Sequence, residues 1–279
     1  MKAGEIPGLL KNEGIIAKKG FSQNFLINEG ILKKMVELAT TDSNQILEIG
    51  PGPALMTLMM AEKIEKIKAI ELDENFIRFH KKLELPDNLE IIYADFLKFS
   101  LENVFDNDEP WTIIGNIPYG ISGLIFRKTF VPHKNLSSIF LLVQDEVGRR
   151  LIAKKGKEYG ILSVLAWMFG EPKIEFVVSS GSFRPIPKIK SAFISVKRID
   201  RKIEVDEWEK FIKFVKAAFS TRRKTLVNCI KLGYKDIINR EDFTKILVEK
   251  NIDLNVRAEA LSPVELLEIF RNVRKNYHE

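Results

Sequence analysis

The chain has 279 residues, 45% hydrophobic and 29% charged, which is enough to bury a large core. Its one cysteine, Cys229, excludes an intrachain disulfide and a multi-cysteine metal site, and no apolar run reaches the roughly 20 residues of a membrane span. The net charge of +6 is compatible with a polyanionic partner, and the composition as a whole leads us to expect a cytoplasmic protein without a structural metal.

Residues 1–20 include Pro7, Lys11, Glu13, Lys18 and Lys19, show no secretory pattern, and read as a flexible basic leader. Asn28 is placed to cap a helix whose apolar stripe is Ile31, Leu32, Met35, Val36 and Ala39. From Gln45 onward, apolar runs at 46–49, 67–71, 89–93, 111–115 and 138–143 alternate with helical patterns at 55–63, 74–83, 121–130 and 144–153. Such alternation predicts an α/β fold with a mostly parallel sheet covered on both faces. A further helix is predicted over 161–169, and runs at 173–178 and 191–196 bring the strands to seven. The connection between those two runs holds Phe183-Arg184-Pro185-Ile186-Pro187, which suits an antiparallel edge better than a crossover helix.

Beyond Ile199 the pattern is helical only. Asp206 with Glu209 resembles a capping box, and Pro263 suits a first helical position. The expected division is a leader over 1–20, an α/β domain over 21–200 and a small all-helical domain over 201–279. The last carries 17 Lys and Arg against 13 Asp and Glu, so most of the basic excess lies there.

Four short stretches carry chemistry. Gly50 and Gly52 lack a β-carbon and can close a tight turn after the first strand, where open α/β sheets bind ligands. Glu71, ending the second strand, can accept hydrogen bonds from ribose hydroxyls. These two features fit NAD and S-adenosylmethionine equally, since both contain an adenosine. Asp95, after the third strand, can take the exocyclic amine of adenine, with Phe96 beside the ring; its plainer reading is a capping aspartate. The fourth strand ends in Gly115-Asn116-Ile117-Pro118-Tyr119. Pro118 biases Ile117 to an extended backbone, so the Asn116 side-chain oxygen and a main-chain carbonyl can converge on one planar amino group. Tyr119 adds a stacking face.

Glu48-Ile49-Gly50-Pro51-Gly52, Glu71-Leu72-Asp73, Asn116-Ile117-Pro118-Tyr119 and Phe21-Ser22-Gln23-Asn24-Phe25-Leu26 together resemble the rRNA adenine N6,N6-dimethyltransferase family. The resemblance continues in 182–188 with Ser191-Ala192, in 219–226 and in 257–262, and so covers residue 18 to the C-terminus. It implies a Rossmann-like methyltransferase with a seven-stranded sheet. It also implies S-adenosylmethionine held by Asn24, Leu26, Gly50, Gly52, Glu71, Asp95 and Asn116. The implied substrate is two adjacent adenosines in a hairpin loop near the 3′ end of small-subunit rRNA, free or in an immature 30S particle, met by a monomer.

In that setting Asn116 and the Ile117 carbonyl would accept the N6 protons, and Tyr119 and Phe183 would clamp the base. Phe183 also has a plainer reading as a core residue beside a hairpin. RNA phosphates would meet Lys18, Lys19, Arg149, Arg150, Lys154, Lys155, Arg222, Arg223 and Lys224. Two departures stand out: Ala54 where the family often has a third glycine, and Ile117 where leucine is usual. The alternatives are a large-subunit rRNA adenine N6-methyltransferase of the antibiotic-resistance type and a NAD-dependent oxidoreductase. The latter leaves 116–119 and the basic tail without a role.

Overall fold

The structure is a computed structural model and describes residues 3–15, 24–102, 104–199, 203 and 205–277. Lys18 and Lys19, with the start of the 21–26 motif, lie outside the described residues.

The N-terminal segment departs from expectation. Residues 3–15 are not a flexible leader but a short 3-10 turn and a helix, α1 (Ile6–Asn12), with Ala3, Ile6, Leu10 and Ile15 buried in the main core. Ile6 and Leu10 lie four residues apart and so share one helix face. Burial of that stripe outweighs the short length of the helix. Strand β1 (Phe25–Leu26) follows, then α2 (Glu29–Ala39), capped as expected by Asn28, whose side chain accepts from the Ile31 N–H at 3.1 Å.

The α/β region then runs β2 (Gln45–Ile49), α3 (Leu55–Ala61), β3 (Lys66–Glu71), α4 (Phe76–His80), β4 (Leu89–Tyr93), β5 (Trp111–Asn116), α5 (Ser122–Thr129), β6 (Leu136–Gln144), α6 (Asp145–Ile152), α7 (Ile161–Phe169), β7 (Gly170–Val178), β8 (Phe183–Arg184) and β9 (Ser191–Arg198). Seven of these strands form one sheet in the order β4-β3-β2-β5-β6-β9-β7. The pairs β2–β3, β3–β4, β2–β5 and β5–β6 are parallel, and β6–β9 is antiparallel. Strand β2 is buried at all five positions, as a central parallel strand with both faces covered must be. Strands β1 and β8 pair antiparallel in a separate two-stranded ribbon that joins Leu26 to Phe183. Helix α4 is shorter than the 74–83 pattern suggests, because Lys82 and Leu83 turn back onto Phe79 and His80 through three-residue bonds.

Connections lead from β2 outward through β3 to β4, and on the other side from β5 to β6. The strand order therefore reverses between β2 and β5, and the crevice beyond their carboxyl ends is the expected ligand position.

The remaining helices are α8 (Val205–Ala218), α9 (Leu226–Gly233), α10 (Arg240–Glu249) and α11 (Pro263–Tyr277). Pro263 opens α11 as expected. The capping box there is reciprocal: the Ser262 N–H donates to Glu265 Oε2 at 2.7 Å and the Glu265 N–H to Ser262 Oγ at 3.2 Å. Asp206, expected as a cap, instead lies inside the first turn of α8, where a carboxylate suits the helix dipole.

The chain divides into two compact units. One takes the described residues of Met1–Thr129, His133–Gly148 and Lys173–Arg198; the other takes those of Phe130–Pro132, Arg149–Pro172 and Ile199–Glu279. A single cut near residue 200 does not reproduce this division. Helix α7 goes with the tail because Ser163, Val164, Leu165, Ala166, Met168 and Phe169 are all buried, leaving it apolar nearly all round. Such a helix needs cover on several sides, and it packs on α8 and α11. Among the described residues no helix is long and apolar enough to cross a membrane, and no cluster of side chains is arranged to hold a metal ion.

Candidate active site

The glycine turn is built by three left-handed residues in alternation: Gly50 (φ 69°), Gly52 (φ 51°) and Ala54 (φ 59°). Glycine adopts this conformation without steric penalty, whereas Ala54 costs about 1–2 kcal/mol there. Ala54 is fully buried at the start of α3, so local packing holds the strained alanine in place. A β-carbon on Gly52 would sit 3.4 Å from the Phe25 ring, which is why the turn can lie close under β1.

Glu71 closes the turn from β3. Its Oε2 accepts the Gly52 N–H at 2.9 Å and its Oε1 the Asp73 N–H at 2.8 Å. Burial pushes the Glu71 carboxyl upward, and the two backbone N–H groups oppose that by stabilising the ionised form. A carboxylate has about four lone-pair sites, so these bonds leave capacity for ribose hydroxyls. Asp95 caps no helix, since a turn follows it: its Oδ1 accepts the Leu97 N–H at 2.9 Å and shapes the loop after β4. Lys128 of α5 reinforces that loop by donating to the Leu97 carbonyl at 3.0 Å and to the Phe99 carbonyl, with its ammonium over the Phe96 ring.

Asn116 ends β5 opposite the turn. Its Nδ2 donates to the Asn24 carbonyl at 2.9 Å. A carbonyl can only accept, so this contact fixes which way the amide points and presents Oδ1 as an acceptor. Pro118 (φ −60°, ψ 130°) carries the chain into a 3-10 turn at Tyr119–Ile121, and Tyr119 Oη lies 2.7 Å from Ser191 Oγ. That contact ties the turn to β9. Burial pushes the Tyr119 phenol upward, so it remains a neutral hydroxyl.

These groups line one cavity of about 210 Å³ within the first unit. Asn24, Leu26, Gly50, Gly52, Glu71, Asp95, Asn116, Ile117 and Tyr119 all reach it. Phe183 does not line it. Its ring is fully buried in the core, where the β1–β8 ribbon sets it opposite Leu26, so it has no face open for a base. The plainer reading holds for that residue.

The basic candidates that are described all fall in the second unit: Arg149, Arg150, Lys154, Lys155, Arg222, Arg223 and Lys224, each exposed. Arg222 is committed within the fold. It donates to the Tyr159 carbonyl at 2.8 Å and pairs with Glu259 at 3.4 Å. Lys154 sits 4.3 Å over the Trp167 ring.

One lining residue went unread in the sequence. Glu48, in the middle of β2, is 1% exposed, and its Oε2 closes no full hydrogen bond, although the buried Thr57 hydroxyl lies near enough to favour its charged form. Burial raises the Glu48 carboxyl to about 7, the Thr57 hydroxyl opposes the shift and the charge of Glu71 adds to it. The signal was a glutamate inside the run 46–49, otherwise apolar, a placement that is costly without a purpose. An unpartnered carboxylate oxygen beside a glycine turn fits a cationic ligand. Together with the carboxylates of Glu71 and Asp95, which can accept from hydroxyl and amine groups, this acceptor set is compatible with S-adenosylmethionine, which is both an adenosine and a cation.

The comparisons point the same way. The profile described as "Ribosomal RNA adenine dimethylase" matches residues 15–275. The chain is similar to "Ribosomal RNA small subunit methyltransferase A" of Fusobacterium nucleatum, 38% identical over 91% of this chain and 97% of that one. It is likewise similar to the protein of that name from Mycoplasmopsis pulmonis, 34% identical over 92% and 99%. Among solved structures it resembles a dimethyladenosine transferase from Plasmodium falciparum, with a TM-score of 0.74 and 24% identity over 89% of this chain and 96% of that one. It also resembles the 23S rRNA methyltransferase ErmE, with a TM-score of 0.66 and 22% identity over 90% and 99%.

Proposed function

This chain belongs to the ribosomal RNA adenine dimethylase family, and from that premise we propose that it methylates N6 of two adjacent adenosines twice each, in a hairpin loop near the 3′ end of small-subunit rRNA. The reading is supported most by one observation: Asn116, at the carboxyl end of β5, has its amide nitrogen held by Asn24 and its oxygen presented as an acceptor in the same cavity as Glu71 and the glycine turn.

S-adenosylmethionine, when bound, supplies a sulfonium-activated methyl group, so no strong base is required of the protein. Glu71 would hold the ribose, Asp95 the adenine amine, and Gly50 and Gly52 would let the backbone approach. Glu48 would meet the positive end. The protein's task on the target base is to hold its N6. That nitrogen is a poor nucleophile, because its lone pair is delocalised into the ring. Asn116 Oδ1 and the Ile117 carbonyl accept hydrogen bonds from its two N–H groups and favour a pyramidal nitrogen; as the methyl is transferred, the one proton that the cationic N6 sheds passes to water. Their attraction grows as positive charge develops on N6, which makes it transition-state stabilisation. Tyr119 orients the ring by its face, and its bond to Ser191 keeps that face in place. After the first methylation N6 retains one proton, so a single acceptor suffices for the second.

Arg223, Lys224, Arg149, Arg150, Lys154 and Lys155 would hold phosphates, and recognition would rest on RNA shape more than on base edges. The protein would act in the cytoplasm as a monomer, on naked rRNA or on an immature small subunit. Labelled S-adenosylmethionine with each of these substrates, followed by mapping of the modified bases, tests the reading. Dimethyladenosine at two neighbouring small-subunit positions is expected. A single modified adenosine in large-subunit rRNA, or binding of NAD in place of S-adenosylmethionine, would overturn it.

A further inference from the structure

His80 plays no part in the chemistry above, yet it is 1% exposed and both of its ring nitrogens are engaged. Nε2 lies 2.7 Å from the Gly52 carbonyl and Nδ1 lies 2.9 Å from Tyr93 Oη. The ring is stacked on Phe76 at 5.7 Å and on Tyr93 at 6.0 Å. A carbonyl oxygen can only accept, so Nε2 carries the hydrogen. Burial holds the imidazole below its ordinary range, so at neutral pH the ring is uncharged and Nδ1 accepts from the Tyr93 hydroxyl.

The consequence falls on Gly52. Its N–H is held by Glu71 at 2.9 Å and its carbonyl by His80, so both sides of this glycine are pinned by side chains from β3 and α4. Glycine loses more conformational freedom on ordering than any other residue, and a turn already ordered before binding removes that cost from the binding step. Neither His80 nor Tyr93 lines the cavity, so their effect on a ligand runs through the Gly52 carbonyl and through Phe76, the lining ring on which His80 stacks; a variant that keeps the bond and gives up the stack separates the two.

We propose that His80, oriented by Tyr93, is a positioning residue that preorganises the Gly50–Gly52 turn for the cofactor; this rests on reading the cavity as an S-adenosylmethionine site. The sequence pattern carried no sign of it, since His80 meets Gly52 and Tyr93 only across α4 and the sheet.

The test uses the full chain and two readouts. Calorimetric titration with S-adenosylmethionine should show His80→Leu about tenfold weaker than wild type, as loss of one buried hydrogen bond implies. His80→Gln, whose amide nitrogen can stand in for Nε2, should stay within about threefold, and Tyr93→Phe should lose about two- to threefold. At saturating cofactor the turnover of His80→Leu should return to within about twofold of wild type, because the loss is in binding. A ¹⁵N-edited imidazole spectrum of the protein without cofactor should show His80 as the Nε2–H tautomer. Wild-type affinity in folded His80→Leu or in Tyr93→Phe, a His80→Gln variant as weak as His80→Leu, or an Nδ1–H tautomer would each overturn the proposal. Should His80→Leu fail to fold, Tyr93→Phe decides, since it leaves the core ring in place. A wild-type protein that binds no S-adenosylmethionine would sink the functional reading instead, while the tautomer result would still report on the His80 contact.

Discussion

At the scale of single residues the cavity is a set of acceptors, and their environments differ. Glu48 is the most constrained. Its native carboxyl sits near 7 against an ordinary 4.5. Between those values the folded state binds more protons than the unfolded state, so stability falls as pH rises from about 4.5 to about 7 and then levels. The cost at pH 8 is on the order of 3 kcal/mol at one pKa unit per 1.36 kcal/mol. Glu48→Gln should therefore raise the melting temperature at pH 8 and leave it nearly unchanged at pH 4.5, as thermal melts at the two pH values will show. The same variant should weaken S-adenosylmethionine binding, since it removes the negative charge.

The glycine turn and Asn116 were legible in the sequence because glycine frees, and proline fixes, the local backbone wherever they occur. Glu48 was not, because its alternation with Leu47 and Ile49 says nothing about which neighbours lack a partner. Phe183 was misplaced as a base clamp because an aromatic in a proline-rich loop looks exposed, and only the β1–β8 pairing turns it into the core.

At the scale of elements, the site depends on how closely β2 and β5 approach. Gly115 pairs with Ile49, and a β-carbon added there would lie 2.9 Å from the Ile49 carbonyl oxygen and 3.1 Å from the Ile49 Cβ. Both neighbours are central-strand atoms with little room to move. Gly115→Ala should cost about 1–3 kcal/mol in denaturant unfolding and weaken cofactor binding by displacing the start of the turn.

Helix α1 offers a second test. A flexible leader would make Leu10→Ala silent, whereas a leucine buried to 4% exposure should cost about 2–3 kcal/mol. Chemical denaturation distinguishes these outcomes. The parallel strands were readable from their apolar runs, to within two residues at the ends. Helix α1 was missed because only Ile6 and Leu10 mark its buried side, and Pro7 reads as an interruption although proline is well tolerated in a first helical turn.

At the scale of the whole molecule, the acceptor cavity lies in one compact unit and the described basic candidates lie in the other. The grouping of Arg149–Lys155 with Arg222–Lys224 was hidden from the sequence, because it follows from α7 joining the helical tail. Within the set, Arg222 and its two neighbours should behave differently. Arg223→Ala with Lys224→Ala should weaken RNA binding across sequences and lower the slope of log affinity against log salt by about one to two, as loss of two phosphate contacts implies. Arg222→Ala should lower the melting temperature instead, because its guanidinium holds the Tyr159 carbonyl and Glu259. The basic excess of residues 201–279 is consistent with the rRNA substrate of the family, but it does not separate side chains committed within the fold from exposed ones.

The measurement that bears most directly on the whole account is single-turnover methyl transfer to small-subunit rRNA by wild type and by Asn116→Ala, at saturating S-adenosylmethionine, with the modified bases mapped. Wild type should place two methyl groups on each of two neighbouring adenosines. Asn116→Ala should fold and, with cofactor at saturation, remain loaded, but transfer about a hundredfold or more slowly, the scale expected when a preorganised transition-state contact is removed. Wild-type rates in that variant would contradict the claim that Asn116 holds the reacting amine.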